Sequence, residues 1–159
     1  MGQMTDENQT VGVADEVVHA VGRITIAAGD LELVLAAIVG LETSGNAFAI
    51  LAKPGEPLRA ARRAVRTMNA PYREAFEPVV ESAAALLAKR HAAVHAMLIN
   101  DAPDQVVGDW RLLHYKTCER QPAEVSTLGT LAAGLIEARN RLVQVLTAKI
   151  NNRAPGLHP

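Results

Sequence analysis

Residues 15–41 read DEVVHAVGRITIAAGDLELVLAAIVGL, and this stretch decides the fold. Val17, Val21, Ile24, Ala28, Leu31, Leu35 and Ile38 recur at spacings of 4, 3, 4, 3, 4 and 3. That rhythm keeps apolar side chains on one side of an α-helix, whereas a strand would scatter them over both of its faces. A helix with such a seam needs other helices to cover it. Gly22 and Gly29 cost helix propensity, about 1 kcal/mol each against alanine. They predict close approach of a neighbouring helix at those positions. Thr43-Ser44-Gly45-Asn46 ends the element.

Outward from this helix, a short helical turn over 47–52 is followed by the breaker Lys53-Pro54-Gly55. Pro57 suits the first turn of a helix over 56–68. Asn69-Ala70-Pro71 stops that helix, and a long one is expected over 72–99. Pro78 either kinks it or marks its true start. Its apolar face is Phe76, Val79, Val80, Ala83, Leu86, Leu87, Val94, Met97 and Leu98. Residues 101–124 have no clear period and read as a loop or short hairpin. Ser126 or Thr127 can cap a last helix over 127–151, with the stripe Leu128, Leu131, Leu135, Ala138, Leu142 and Val145. Aromatic residues are only 3% of the chain, so Ala, Leu, Val and Ile must fill the core, which favours closely packed helices over stacked sheets. The expected fold is all-α: an antiparallel four-helix bundle with a short extra helix and an irregular segment before the last helix. The expected organisation is a flexible tail over 1–12, one domain over 13–152 and a tail over 153–159.

Net charge is −1, so no global field draws the chain to nucleic acid or to a membrane. The polar start, Met1 to Thr10, lacks the apolar core of a signal peptide, and Asp6 stands where a myristoylation signal wants Ser or Thr. The longest apolar stretches carry charges within a few turns, and no membrane span is expected. Cys118 is the only cysteine, which fits a cytoplasmic chain. It lies near Lys116 and Arg120 without a histidine base beside it, a poor nucleophile. No phosphate loop or dinucleotide fingerprint is present, and no cofactor is expected.

Within the 72–99 helix, Arg90 lies four residues after Leu86 and four before Val94, on the apolar stripe itself. A charge there needs a partner or a wet cleft. His91 and His95 stand one above the other, and Arg90 and His95 differ by about 140° around the axis. Arg90-His91-Ala92-Ala93-Val94-His95 resembles the motif of the HEPN superfamily (higher eukaryotes and prokaryotes nucleotide-binding domains). Its mark is Arg-x4–6-His with a polar residue after the arginine, late in a long helix of a four-helix bundle. The likeness extends over about 14–151: a long first helix with acidic residues (Asp30, Glu32), a short insert, the motif helix, an irregular segment and a closing helix. Arg153 and His158 fit the same string, but in a Pro/Gly tail; Arg139-Asn140 has Gln144 where the histidine belongs.

The resemblance implies metal-independent RNA cleavage at a homodimer interface, in a toxin or defence protein with a cognate antitoxin or other partner. It implies His95 as acid/base, Arg90 as phosphate ligand and His91 as an orienting or second titrating group, with Glu32 holding Arg90. Other readings stay open. Arg90 can be a snorkelling edge residue, with the histidines merely exposed. His91-x3-His95 can begin a zinc site, with His114, Cys118 or Glu32 as a third ligand, although Ala92 stands where a zinc-protease helix has Glu. Arg59, Arg62, Arg63 and Arg66 gather on one helix, and residues 53–91 hold eight Lys/Arg against four Asp/Glu. Arg59, Arg63 and Arg66 can follow an RNA backbone, or simply form a solvated face. A non-catalytic helical dimer binding RNA or protein is the alternative function.

Overall fold

The computed structural model describes residues 9–43, 45–100, 110–114 and 117–151. They form a mostly helical protein: α1 (Gln9–Thr43), α2 (Ala47–Leu51), α3 (Glu56–Thr67), α4 (Ala70–Val94) and α5 (Val125–Ile150), with β1 (Ala96–Asn100), β2 (Trp110–His114) and β3 (Arg120–Pro122). The seam of α1 is the centre. Val17, Ile24, Ala28, Leu31, Leu35 and Ile38 are buried on it, and Val21 is half-buried. Around it pack α5, α3, α4 and α2. Phe76 and Val80 of α4 and Leu135 and Leu142 of α5 are the other large side chains fully buried with it.

The relative direction of three helices follows from their contacts. At one end Val125 and Gly129 of α5 share a groove with Glu16 and Arg23 of α1; at the other, Lys149 pairs with Glu42. Helices α1 and α5 therefore run the same way, unlike the antiparallel neighbours expected. Lys149 also lies 4.9 Å from the Tyr72 ring centroid at the start of α4. The far end of α4, Ala92 and Ala93, lines one cleft with Leu128 and Leu131 early in α5. Thus α4 is antiparallel to both.

Several boundaries differ from expectation. Helix α1 begins at Gln9, inside the expected 1–12 tail, because no proline lies upstream of Asp15 to stop it. Its part Asp15–Thr43 is long and apolar enough to cross a membrane by length and composition, as the core helix of a soluble protein also can be; 44% of its most apolar 18-residue window is buried within the protein. Pro78 lies inside α4 on an exposed position, so water can satisfy the carbonyl its missing N–H leaves behind. Helix α5 begins at Val125, before Ser126 and Thr127, which therefore do not cap it; the Thr127 hydroxyl donates to Glu124 instead.

The largest difference is at residues 95–100. The long helix stops at Val94, His95 is its C-cap, and Ala96–Asn100 is a strand. A short apolar run such as Ala96-Met97-Leu98-Ile99 suits helix or strand equally by pattern. Backbone pairing decides: β1 pairs antiparallel with β2, from Ala96 opposite His114 to Asn100 opposite Trp110. Strand β3 adds to the other edge of β2, with Leu112 opposite Gln121. The segment 101–124, read as a loop or short hairpin, thus holds the antiparallel pair β2–β3, and β1, read as helix, adds the third strand of the sheet.

The two glycines of α1 also have a different setting. A Cβ at Gly22 or Gly29 would meet nothing within 4 Å, and both positions are exposed. No neighbouring helix requires them. We expect Gly22→Ala and Gly29→Ala each to stabilise the protein by about 0.4–1 kcal/mol, seen as a higher urea midpoint with an unchanged slope. The close approach lies instead at Gly134 of α5, where a Cβ would stand 3.1 Å from a Leu86 methyl of α4.

Candidate functional site

The last two turns of α4 carry the arginine–histidine cluster. Arg90 is half-buried, and its Nε is buried with no hydrogen-bond partner among the described residues. A buried donor left unpaired costs about 1–3 kcal/mol, more when charged, so this atom is an energetic reason for the site to take an acceptor. His91 and His95 are exposed, with ring centroids 4.4 Å apart and planes inclined at 51°. The helical spacing of four brings them together, and the His95 N–H donates to the His91 carbonyl at 3.1 Å. Two imidazoles so placed can bind one oxyanion together or pass a proton to it in turn.

The described contacts include none between Arg90 and His95. They leave the helix on different sides, as the angle between positions 90 and 95 requires. Glu32 is half-buried on α1, and the described contacts include no ion pair between it and Arg90. Among the described residues no group of three or more His, Cys, Asp or Glu side chains gathers into a metal-binding cluster, so His114, Cys118 and Glu32 do not extend the His91–His95 pair.

The arginines of α3 are largely tied to carboxylates. Arg59 and Arg63 both bind Glu56 at the start of their own helix. Arg62 grips Glu81 of α4 with two hydrogen bonds, one of 2.8 Å from Nε. Arg66 is exposed, without an ion pair among the described contacts. Of the three candidates for RNA contact, then, only Arg66 lacks a direct ion pair among the described contacts, although its charge acts on nearby Glu81. The spacing that put these arginines on one face also put acidic residues within their reach.

These pairs set an acid dependence. Hydrogen bonds from Arg63 and then Arg59 hold the Glu56 carboxyl below its ordinary range, and a hydrogen bond from Arg62 does the same for Glu81. A carboxyl lowered in the folded state contributes stability above the ordinary value of about 4.3, and loses it as pH falls through the folded value. We expect the urea midpoint to drop between about pH 5 and pH 3. Glu81→Gln should remove part of that drop, under about 1 kcal/mol for so exposed a pair, and less in high salt.

Sequence reasoning missed one feature. A cleft of about 640 Å³ opens between the end of α4, strand β2 and the first turns of α5. Its polar end is built on the turn joining β2 to β3. There His114 Nδ1 accepts the Thr117 N–H at 3.3 Å, and the Thr117 hydroxyl lies 3.1 Å from the same nitrogen and donates to Glu119 at 3.2 Å. Cys118 holds the turn with φ 55°, a conformation that residues other than glycine rarely adopt. The signal was the run from His114 to Glu119, legible only once β2 is recognised as a strand. Arg90, His91 and His95 do not line this cleft. No family model, curated protein or solved structure matches the chain.

Proposed function

We propose that this protein is a HEPN-like, metal-independent endoribonuclease acting as a homodimer, in the manner of a cytoplasmic toxin or defence protein held by an antitoxin. The observation that carries this reading is the unpartnered, buried Nε of Arg90 beside a pair of exposed histidines at the end of a long helix. The packing of α1, α3, α4 and α5 around one core supports a four-helix bundle of that type. A phosphate would give Arg90 its missing acceptor and offset charge on a phosphorane. One histidine takes the proton of the ribose 2′-hydroxyl as its oxygen attacks phosphorus. The bond to the 5′-oxygen breaks, and a second histidine protonates that oxygen. The products are a 2′,3′-cyclic phosphate and a 5′-hydroxyl. On this reading two copies facing each other bring the arginine and histidines of both chains into one site.

A second reading is a non-catalytic helical dimer that binds RNA or protein. It is favoured by Ile26 and Leu33 on α1 and by Ile136 and Ile150 on α5, all of them large apolar side chains exposed to solvent. Incubating single-stranded RNA with the protein in EDTA separates the two. Cleavage that leaves cyclic phosphate ends supports the nuclease; intact RNA rejects it in favour of the binding module. Loss of cleavage in EDTA, recovered with zinc, points to the histidine pair as metal ligands.

A further inference from the structure

We infer that the outer face of α1, widened by the neighbouring flank of α5, pairs with the same face of a second copy of this chain, the two α1 helices antiparallel. The face lies on α1 and α5 and not on α4, so the inference does not rest on the nuclease reading.

The face is apolar where a lone chain gains nothing from it. Val18, Ile26 and Leu33 are exposed on the side of α1 opposite its buried seam. Helix α5 runs the same way beside it. There Gly129 borders the groove against α1, and Ile136, Val143 and Ile150, all exposed, follow it at intervals of seven on the same flank. Large apolar side chains gathered in this way mark an interaction surface. From Val18 to Leu41 the face is about 36 Å long, and it is two helices, about 20 Å, wide. It therefore spans about 700 Å² per copy, close to the roughly 800 Å² that each partner gives to a standard stable interface.

Charge complementarity chooses the occupant. Arg23 and Asp30 are both exposed, two turns apart on the flank of the stripe toward α5. Neither has an ion pair or hydrogen bond among the described residues. A two-fold axis midway between residues 26 and 27 sets each Arg23 level with Asp30 of the other copy, so one contact answers all four charges. The same register places Ile26 within about 3 Å, along the axis, of Gly29 of the other copy, and Leu33 equally close to Gly22. Both glycines leave hollows, since a Cβ there would meet nothing within 4 Å. No like charges oppose each other on that flank: Glu16 and His19 come level with Ala37 and Val34. A bilayer would leave Arg23 and Asp30 unanswered.

Sedimentation equilibrium of the full chain tests the pairing, with a dimer expected at about 100 µM. Ile26→Arg, at an exposed position, should weaken dimerisation by about tenfold or more with the circular dichroism spectrum unchanged. Arg23→Glu or Asp30→Arg alone should weaken it by about tenfold, and the two together should restore it to within about threefold of wild type. In a Cys118→Ser background, Ile26→Cys should cross-link under mild oxidation about tenfold faster than Val18→Cys, whose two copies would lie about 25 Å apart along the axis. A monomer up to about 200 µM overturns the proposal. So does a dimer that Ile26→Arg leaves intact, as one formed through the end of α4 would be. A double charge swap no better than either single one, or equal cross-linking at both positions, overturns it as well.

Discussion

His95→Ala is expected to lower RNA cleavage by about 10²–10⁴-fold, the usual contribution of one positioned acid or base. The histidine caps α4 and is exposed, with no side-chain role in the core, so the variant should keep its fold and its urea midpoint. Arg90→Ala is expected to cost about 10²–10³-fold, comparable with removing one fixed donor to a developing oxyanion. Arg90→Lys is the sharper variant. It keeps the charge but loses the fork that meets two phosphate oxygens, so most of the loss should remain. The structure adds a stability signature. Arg90 Nε is buried without a partner, so shortening this side chain removes an unsatisfied donor. Arg90→Ala should therefore leave stability nearly unchanged while activity collapses. Cleavage in EDTA that survives both His95→Ala and Arg90→Ala at the wild-type rate would exclude this cluster as the site, whatever the protein then proved to do.

The helical part of the fold was legible because its signal is redundant. Seven apolar residues repeat along α1, and a single exception such as half-buried Val21 does not alter the pattern. The same holds for Leu128, Leu135, Ala138 and Leu142 of α5. Strand β1 was not legible because its signal is short. Ala96–Asn100 continues the apolar composition of α4 without a proline or glycine, and only its partner strand, ten residues further along, makes it a strand. Moving that boundary changed the candidate site: His95 passed from the interior of a helix to its cap.

Charged residues were harder to place than apolar ones, and for a physical reason. Sequence spacing puts a side chain on a face of its own helix but says nothing of what lies opposite. Arg62 and Glu81 are nineteen positions apart and nonetheless bonded. Glu32 and Arg90 sit on neighbouring helices and are not. The glycines show the same limit. Gly22 and Gly29 looked like contact points by composition, whereas the contact is at Gly134, which no periodicity singled out.

Phe76→Ala is expected to destabilise the protein by about 3–5 kcal/mol, the largest effect of any single core truncation here. The chain has only two phenylalanines, and they occupy opposite environments. Phe76 of α4 is wholly buried, whereas Phe48 of α2 is 78% exposed. Removing the Phe76 ring leaves a cavity in a core rich in alanine, with Ala61, Ala64 and Ala83 among its buried members. Methyl groups on helical backbones cannot swing into the space, so little of the cavity can collapse and the cost should fall toward the upper end. Against a total stability of about 5–15 kcal/mol, such a loss takes a large share. At about 2–4 °C per kcal/mol for a chain near this size, the melting temperature should fall by roughly 6–20 °C. Phe48→Ala should stay within about 0.5 kcal/mol of wild type, as an exposed substitution does. Phe76→Leu, which keeps most of the volume, should recover much of the loss. Urea unfolding followed by circular dichroism gives all three values on one scale. Equal costs for the two alanine variants would contradict the packing of α4 onto α1, and with it the placing of the arginine–histidine cluster at the end of a core helix.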